Sequence, residues 1–166
     1  MGELVNKLSN YNIFNYLFPG IIICYCLEKF NIYQVFHKEI IVSAFMCYFI
    51  GLCVSRISSL IVEPILIKIK FLPREDYKKY IEASKIDDKI ELFSEISNSY
   101  RTLMISFLVI PIANAFMIYP NEWQANDYKI LIVFVLLSIL FLLSHMKQNS
   151  YVIKRINNAL NNKEKK

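Results

Sequence analysis

The chain has 166 residues, the size of one ordinary domain, and 55% of them are apolar. A soluble domain is about 45–50% apolar even with glycine counted, so this composition, with only three glycines, favours membrane segments over one globular core. The net charge of +5 includes a basic tail, residues 147–166, with six Lys or Arg, one acid and a single aromatic residue. This pattern is typical of attraction to anionic lipid headgroups and does not favour nucleic-acid binding.

Four apolar segments predict an all-α, polytopic membrane protein with four transmembrane helices. The segments cover about residues 11–30, 40–62, 102–119 and 128–145, and each is close to the roughly 20 residues that a helix needs to cross a bilayer. We expect the whole chain to form a single integral membrane domain.

The second segment carries a stripe of small residues that recur every four positions. Small residues at this spacing allow two membrane helices to approach closely. The partner helix lies either in the same protomer or in a neighbouring one, where the stripe would surround a narrow pore, and the sequence leaves both alternatives open. The candidate helix-packing residues are Ser43, Cys47, Gly51, Ser55 and Ser59.

Polar side chains inside the apolar segments are the candidate intramembrane or gating residues. Arg56 interrupts the second segment, and an ionisable group at such a depth usually marks a functional site, although it can also extend to the headgroups. Glu63 follows two helical turns later, on the same face of an α-helix but roughly 10 Å further along. We predict that Glu63 pairs with Arg101, because antiparallel packing brings the inner ends of the second and third helices together. Asn114 either bridges helices or lines an ion or water path.

Residues 65–101 predict a cytoplasmic helical hairpin between the second and third spans. Pro73 suits the first position of a helix, and Asp87 or Asp88 is expected to cap the next one. We expect that second helix to continue through Arg101 into the third span.

The basic tail predicts a short C-terminal amphipathic helix. Its apolar side chains fall on one face, which would lie on the membrane or on a partner. These side chains are Val152, Ile156, Ala159 and Leu160.

The distribution of Lys and Arg predicts the orientation. With four spans both termini lie on one side, and a cytoplasmic placement puts 16 of these residues inside and only Lys29, Lys38 and Lys129 outside. This split follows the positive-inside rule. We therefore expect a multi-pass protein of the bacterial inner membrane with cytoplasmic N- and C-termini.

Three segments resemble a group of small four-helix bacterial membrane proteins. These segments read YFIGLCVSRISSLIVEP at 48–64, YKKYIEAS at 77–84 and SNSYR at 97–101. The shared pattern is Ser-Arg-Ile-x-Ser-x-Ile/Val-x-Glu-Pro in one span and Tyr-Arg at the next, and the resemblance covers about residues 40–110. It implies a membrane effector of the kind that accompanies bacterial antiviral defence systems, and it brings no catalytic residue.

The sequence contains no glycine-rich phosphate loop, zinc-protease motif or nucleophile elbow, and its four cysteines form no CxxC pair. We therefore expect no enzyme, no cofactor and no metal site. The favoured function is an oligomeric channel-forming or membrane-disrupting effector, with a pore between protomers and Arg56 and Glu63 at its inner gate. The alternative is a non-conducting membrane anchor or adaptor that recruits a cytoplasmic protein through the hairpin and the basic tail.

Overall fold

The computed structural model describes residues 13–29, 33–36, 38–117 and 125–164, and these form helices joined by turns, with no strand among them. The all-α prediction is therefore confirmed for the described residues. Two π-helical segments, Ile13–Leu17 and Ser58–Val62, lie before α1 and between α2 and α3. The α-helices are α1 (Phe18–Lys29), α2 (Ile40–Ile57), α3 (Glu63–Lys68), α4 (Tyr77–Ser84), α5 (Lys89–Met117) and α6 (Ala125–Glu164).

Two helical stretches are long and apolar enough to cross a membrane, Ile40–Lys68 and Tyr128–Lys163. Only 22% and 11% of their most apolar windows are buried, so most of these apolar side chains face outwards, unlike those of a buried core helix. Crossing by the other two predicted spans stays a prediction. Their ends at residues 11, 12, 30, 118 and 119 lie outside the described residues.

Each π-helical segment ends just before a proline, Pro19 in α1 and Pro64 in α3. A proline cannot donate the usual helical hydrogen bond, and its ring crowds the carbonyl of the preceding turn. Before Pro64 the chain therefore adopts a wider turn, in which the Glu63 N–H bonds to the Ser58 carbonyl five residues back. Single wide turns of this kind are frequent at functional sites.

The central helix is α5, whose residues 101–107 are all buried. It packs along α6 and also against α1 and α2. A cluster that we call the central core lies where α1, α2 and α5 meet α3 and the turn after it. Its buried members are Ile23, Val54, Leu66, Leu72, Met104 and Ile105.

The predicted C-terminal amphipathic helix is not a separate element. Residues 147–164 continue α6, which at 40 residues is about 60 Å long and so about twice the thickness of a bilayer's hydrocarbon layer. The tail's apolar face is already covered, because Val152 and Ile156 pack against Ala83 and Ile90. The prediction that this face lies on the membrane or on a partner is therefore wrong.

The predicted hairpin is shorter than residues 65–101, because α3 continues the α2 rod. It consists of α4 and the first turns of α5. The first helix begins after Asp76 and not at Pro73, since the Asp76 carboxylate accepts the N–H of Lys78 at 3.1 Å. The carboxylate of Asp87 accepts the N–H of Lys89 at 3.1 Å, which confirms the predicted cap at the start of α5. As predicted, α5 then runs through Arg101 without a break.

Candidate functional site

The ion pair predicted between Glu63 and Arg101 is present. Arg101 is only 5% exposed, its guanidinium contacts the Glu63 carboxylate, and its Nε donates to Ser58 Oγ at 3.3 Å. The Glu63 side chain keeps 30% of its surface exposed, so the pair is open on the carboxylate side. A buried guanidinium is tolerated only with such partners, because leaving it unpaired is strongly unfavourable.

Hydroxyl groups extend this pair between α2 and α5. Ser58 Oγ donates to the Ser55 carbonyl at 2.8 Å, which leaves its lone pairs available to Arg101. Thr102 Oγ1 donates to the Asn98 carbonyl at 3.0 Å and lies 3.4 Å from Ser55 Oγ. We call Ser55, Ser58, Glu63, Arg101 and Thr102 the buried polar cluster. Its groups satisfy one another inside the bundle, as buried polar groups must.

His145 brings α6 to the same region. The side chain is 2% exposed, its Nδ1 lies 2.9 Å from both the hydroxyl and the carbonyl oxygen of Ser97, and its Nε2 has no partner among the described residues. Ser97 lies one turn before Arg101 on α5. The available signal in the sequence is the seven-residue spacing of His145 and Ser138, which places two polar side chains on one face of an otherwise apolar helix.

The contact between Ser97 and His145 has the distance of a nucleophile–base pair, but not the access that catalysis needs. Both side chains are buried, at 4% and 2% exposure. A catalytic pair has to reach the reacting atom of a substrate. We therefore assign this contact to the packing of α5 against α6.

Arg56 does not join the buried polar cluster. It is exposed on α2 and forms no ion pair in the part of the chain that the structure describes. The wide turn at Ser58–Val62 explains the difference, because it rotates the chain that follows and removes the alignment that seven α-helical residues give. Arg56 and Glu63 therefore lie in different surroundings within the protomer, and their role at the inner gate of a pore between protomers stays a prediction.

The small-residue stripe of the second span packs within the chain. Ser43, Cys47 and Gly51 are buried on α2. A methyl group added at Gly20 would lie 1.7 Å from the Cys47 carbonyl oxygen, and one added at Gly51 would lie 1.7 Å from that of Tyr16. The backbones of the first two helices are thus in direct contact.

The remaining members of the stripe and Asn114 have other positions. Ser55 and Ser59 are half-buried, and Ser55 lies beside Thr102 of α5. Asn114 lies within α5, but its side chain is outside the part that the structure describes, so its predicted role is not tested. Within the described residues no group of three His, Cys, Asp or Glu side chains is close enough to hold a metal ion.

A second polar region joins the hairpin to residues 147–164 of α6, and we call this three-helix unit the platform. Arg155 binds Asp87 with two hydrogen bonds of 2.9 and 3.1 Å, and its guanidinium lies 5.1 Å from the ring centre of Phe93. Lys163 contacts Glu82 at 2.5 Å, and this contact holds the pKa of the exposed Glu82 carboxyl below its usual value. These contacts fix the register of the tail on the hairpin.

The platform also carries an open groove of about 620 Å³ between α4 and the end of α6. Three lysines and one glutamate surround exposed apolar side chains, which suits a ligand that is both acidic and partly apolar. We call this the basic groove. Its lining residues are Tyr77, Lys78, Ile81, Glu82, Lys85, Ile86 and Lys163.

No family model, no curated protein and no solved structure matches this chain.

Proposed function

We propose that this chain is a multi-pass membrane anchor or adaptor, in which the transmembrane helices hold the platform at the cytoplasmic face for a soluble partner. The observation that carries the proposal is the continuity of α6. One part of this helix exposes apolar side chains along its length, and the other part is buried against α4 and α5. One rigid element thus joins a lipid-facing segment to a folded, water-facing unit.

Length supports the membrane part of the proposal. The stretch Ile40–Lys68 has 29 residues, which is about 43 Å as a helix. A bilayer measures about 40–45 Å with its headgroups. Lys38 and Glu39 precede this stretch, and Lys68 ends it, so that charged residues stand at both ends.

Orientation rests on charge. The platform and the turns beside it contain most of the Lys and Arg, which favours the cytoplasmic side. In this arrangement four helices cross the bilayer and both termini are inside. Tags fused to either terminus should be protected from a protease added to the periplasmic side, and digestion of either tag would contradict the arrangement.

The internal pairing of the polar groups supports an anchor over a pore. The buried part of the small-residue stripe is used by the first helix, and Glu63 and Arg101 neutralise each other within the protomer. The basic groove, by contrast, is open and carries an excess of positive charge. The partner that fits it is an acidic amphipathic segment of a soluble protein.

Site-specific cross-linking tests the anchor. A photoreactive residue at position 81, in the groove, should capture a soluble protein from cells. The matched control is position 92, because Leu92 is a similarly exposed apolar residue of the platform outside the groove lining. Equal capture at the two positions, or none at position 81, would contradict the proposed docking surface.

A second candidate is the oligomeric channel or membrane-disrupting effector, and the exposed Arg56 favours it. A bundle of short helices encloses little space, so a pore would form between protomers, with Arg56 facing it from each copy. Expression should then depolarise the membrane, Arg56→Ala should abolish the effect without loss of membrane insertion, and Arg56→Lys should retain it. Depolarisation that persists in Arg56→Ala would exclude Arg56 as the pore residue.

A further inference from the structure

The turn after α3 contains a lysine in a conformation that favours glycine. Lys70 has φ +60°, and the N–H groups of Lys70 and Phe71 bond to the carbonyls of Ile67 and Leu66 at 3.0 and 2.9 Å. This is the Schellman arrangement, whose left-handed residue is usually glycine because a side chain is disfavoured there. A side chain retained at a strained position is a reason to look for a function.

Three cations project from this turn, which we call the basic turn, residues 68–74. Lys68, Lys70 and Arg74 are exposed and form no ion pair among the residues that the structure describes. The turn itself is held in place, because Leu72 is 4% exposed in the central core and Asn149 of α6 donates to the Pro73 carbonyl at 2.7 Å. The backbone that carries the three cationic side chains is therefore fixed in position.

Apolar side chains surround the cations. Ile65, Ile69 and Phe71 expose 51%, 55% and 50% of their surface. A rigid turn with exposed apolar and basic side chains together is the pattern of a segment that lies at the boundary between headgroups and acyl chains.

The depth of the turn agrees with this position, provided that the chain crosses the membrane as proposed above. The helical stretch that ends at Lys68 is about as long as a bilayer with both headgroup layers. If Ile40 stands at the outer headgroups, Lys68 and Lys70 stand at the level of the inner phosphates.

The basic tail is less suited to contact with lipid headgroups than its composition indicated. Arg155 is paired with Asp87, and Lys163 with Glu82. Lys163 also lies 18 residues beyond His145 on the same helix, about 27 Å further from the membrane-spanning part. Charges act on headgroups only within about 8 Å at physiological salt.

We propose that the basic turn binds the phosphate of an anionic phospholipid in the cytoplasmic leaflet, with Lys68, Lys70 and Arg74 as the cationic contacts. The apolar neighbours contact the acyl chains of the same lipid. This site anchors the inner end of the α2–α3 rod and sets the depth at which the platform begins.

Lipid titration of the purified protein tests the proposal. In neutral detergent, phosphatidylglycerol should bind more tightly than phosphatidylcholine. Removal of a cation should weaken the binding of phosphatidylglycerol by about fivefold for each of Lys68→Gln, Lys70→Gln and Arg74→Gln. The matched control is the triple variant Lys79→Gln, Lys89→Gln and Lys154→Gln, which removes three exposed charges from the platform outside the basic groove and should bind as the unmodified chain does.

One variant separates lipid binding from folding. Lys70→Gly removes the amine and also relieves the left-handed strain, so it should raise the melting temperature in neutral detergent while it lowers the preference for phosphatidylglycerol. Unchanged preference in Lys70→Gly would overturn the proposal, and so would an equal loss in the platform control. Competition by millimolar inorganic phosphate as strong as by the lipid would show a site for free anions instead.

The lipid titration and the cross-linking experiment can fail separately. If the chain prefers phosphatidylglycerol but captures no protein at position 81, the adaptor proposal is contradicted and the lipid site is retained. A chain that does not partition into membranes would overturn both.

Discussion

Arg101 is a charged residue with 5% of its surface exposed, and it lies on the helix that contacts most of the others. Its burial is tolerated because Glu63 and Ser58 supply a carboxylate and a hydroxyl within the bundle. A buried pair of this kind contributes little net stability compared with apolar side chains of the same size, but removing one partner strongly destabilises the fold. The pair therefore acts mainly by fixing the register of α5 against the α2–α3 rod.

A charge reversal tests this role. Glu63→Arg and Arg101→Glu should each destabilise the protein by about 3 kcal/mol, the lower end for a broken buried pair, because Glu63 is partly exposed. The double variant restores opposite charges and should recover most of the loss, measured as thermal unfolding in detergent. A double variant no more stable than the single ones would mean that the pair does not determine the register.

Glu82 and Lys163 give the platform a dependence on pH. The pKa of Glu82 is lowered by its hydrogen bond and its attraction to Lys163, so their contribution is fully present above the ordinary glutamate pKa of about 4.3. It is lost as the pH falls through the lower, folded-state value. Amide exchange at the end of α6, corrected for intrinsic rates, should therefore accelerate over this range.

The control for this titration is Glu82→Gln, which removes the charge and should show no such acceleration. Both carboxylate and amide are exposed at this position, so the substitution leaves the core unchanged. Parallel behaviour of the two proteins would assign the effect to other groups of the platform.

At the scale of the helices, the sequence predicts which helix ends meet better than it predicts which residues share a helix face. The Glu63–Arg101 pair follows from two inner helix ends that meet in antiparallel packing, and that geometry does not depend on the turns between them. The relation of Arg56 to Glu63 does depend on them, because the wide turn before Pro64 changes the rotation. The prediction of a shared face holds only for regular α-helical spacing, and Pro64 is the feature of the sequence that indicates a departure from it.

The stripe of small residues shows the same limit. Spacing by four predicts close packing but not the identity of the partner helix. Only the arrangement of the helices shows that Gly51 meets the first helix at Tyr16, while Ser55 turns towards α5. A second glycine, Gly20, was the available sign that the first helix supplies a matching surface.

The crossing of these helices leads to a sharp prediction for Gly20→Ala and Gly51→Ala. Each new methyl group would lie 1.7 Å from a backbone carbonyl oxygen, which cannot rotate away as a side chain can. The helices would have to separate, at a cost of about 3 kcal/mol, the upper end for overpacking.

The matched control is Ala44→Leu, which adds a larger group on the exposed face of α2. It should unfold near the temperature of the unmodified protein in detergent. If Gly20→Ala were as stable as Ala44→Leu, the close approach of the two backbones would be absent in the folded protein.

At the scale of the whole molecule, the sequence predicts two separate helices where the structure has one, α6. The apolar segment and the basic tail differ so much in composition that they predict two helices, yet no proline or glycine separates them between residues 125 and 164. The tail remains helical because its apolar face finds Ala83 and Ile90, a partner more than 60 residues away that local patterns do not reveal. The same contact turns the hairpin and the tail into one platform.

An insertion within α6 tests whether this continuity transmits position. One alanine between Lys147 and Gln148 rotates everything beyond it by about 100° and moves Val152 and Ile156 off the hairpin. The membrane part should still insert, but the hairpin should become sensitive to protease, because the apolar cluster and the Arg155 contact are lost together. The same alanine after Glu164 lies beyond these contacts and should leave the hairpin resistant. Equal resistance in the two variants would mean that the hairpin folds without the tail, and that α6 does not hold the platform in register with the membrane helices.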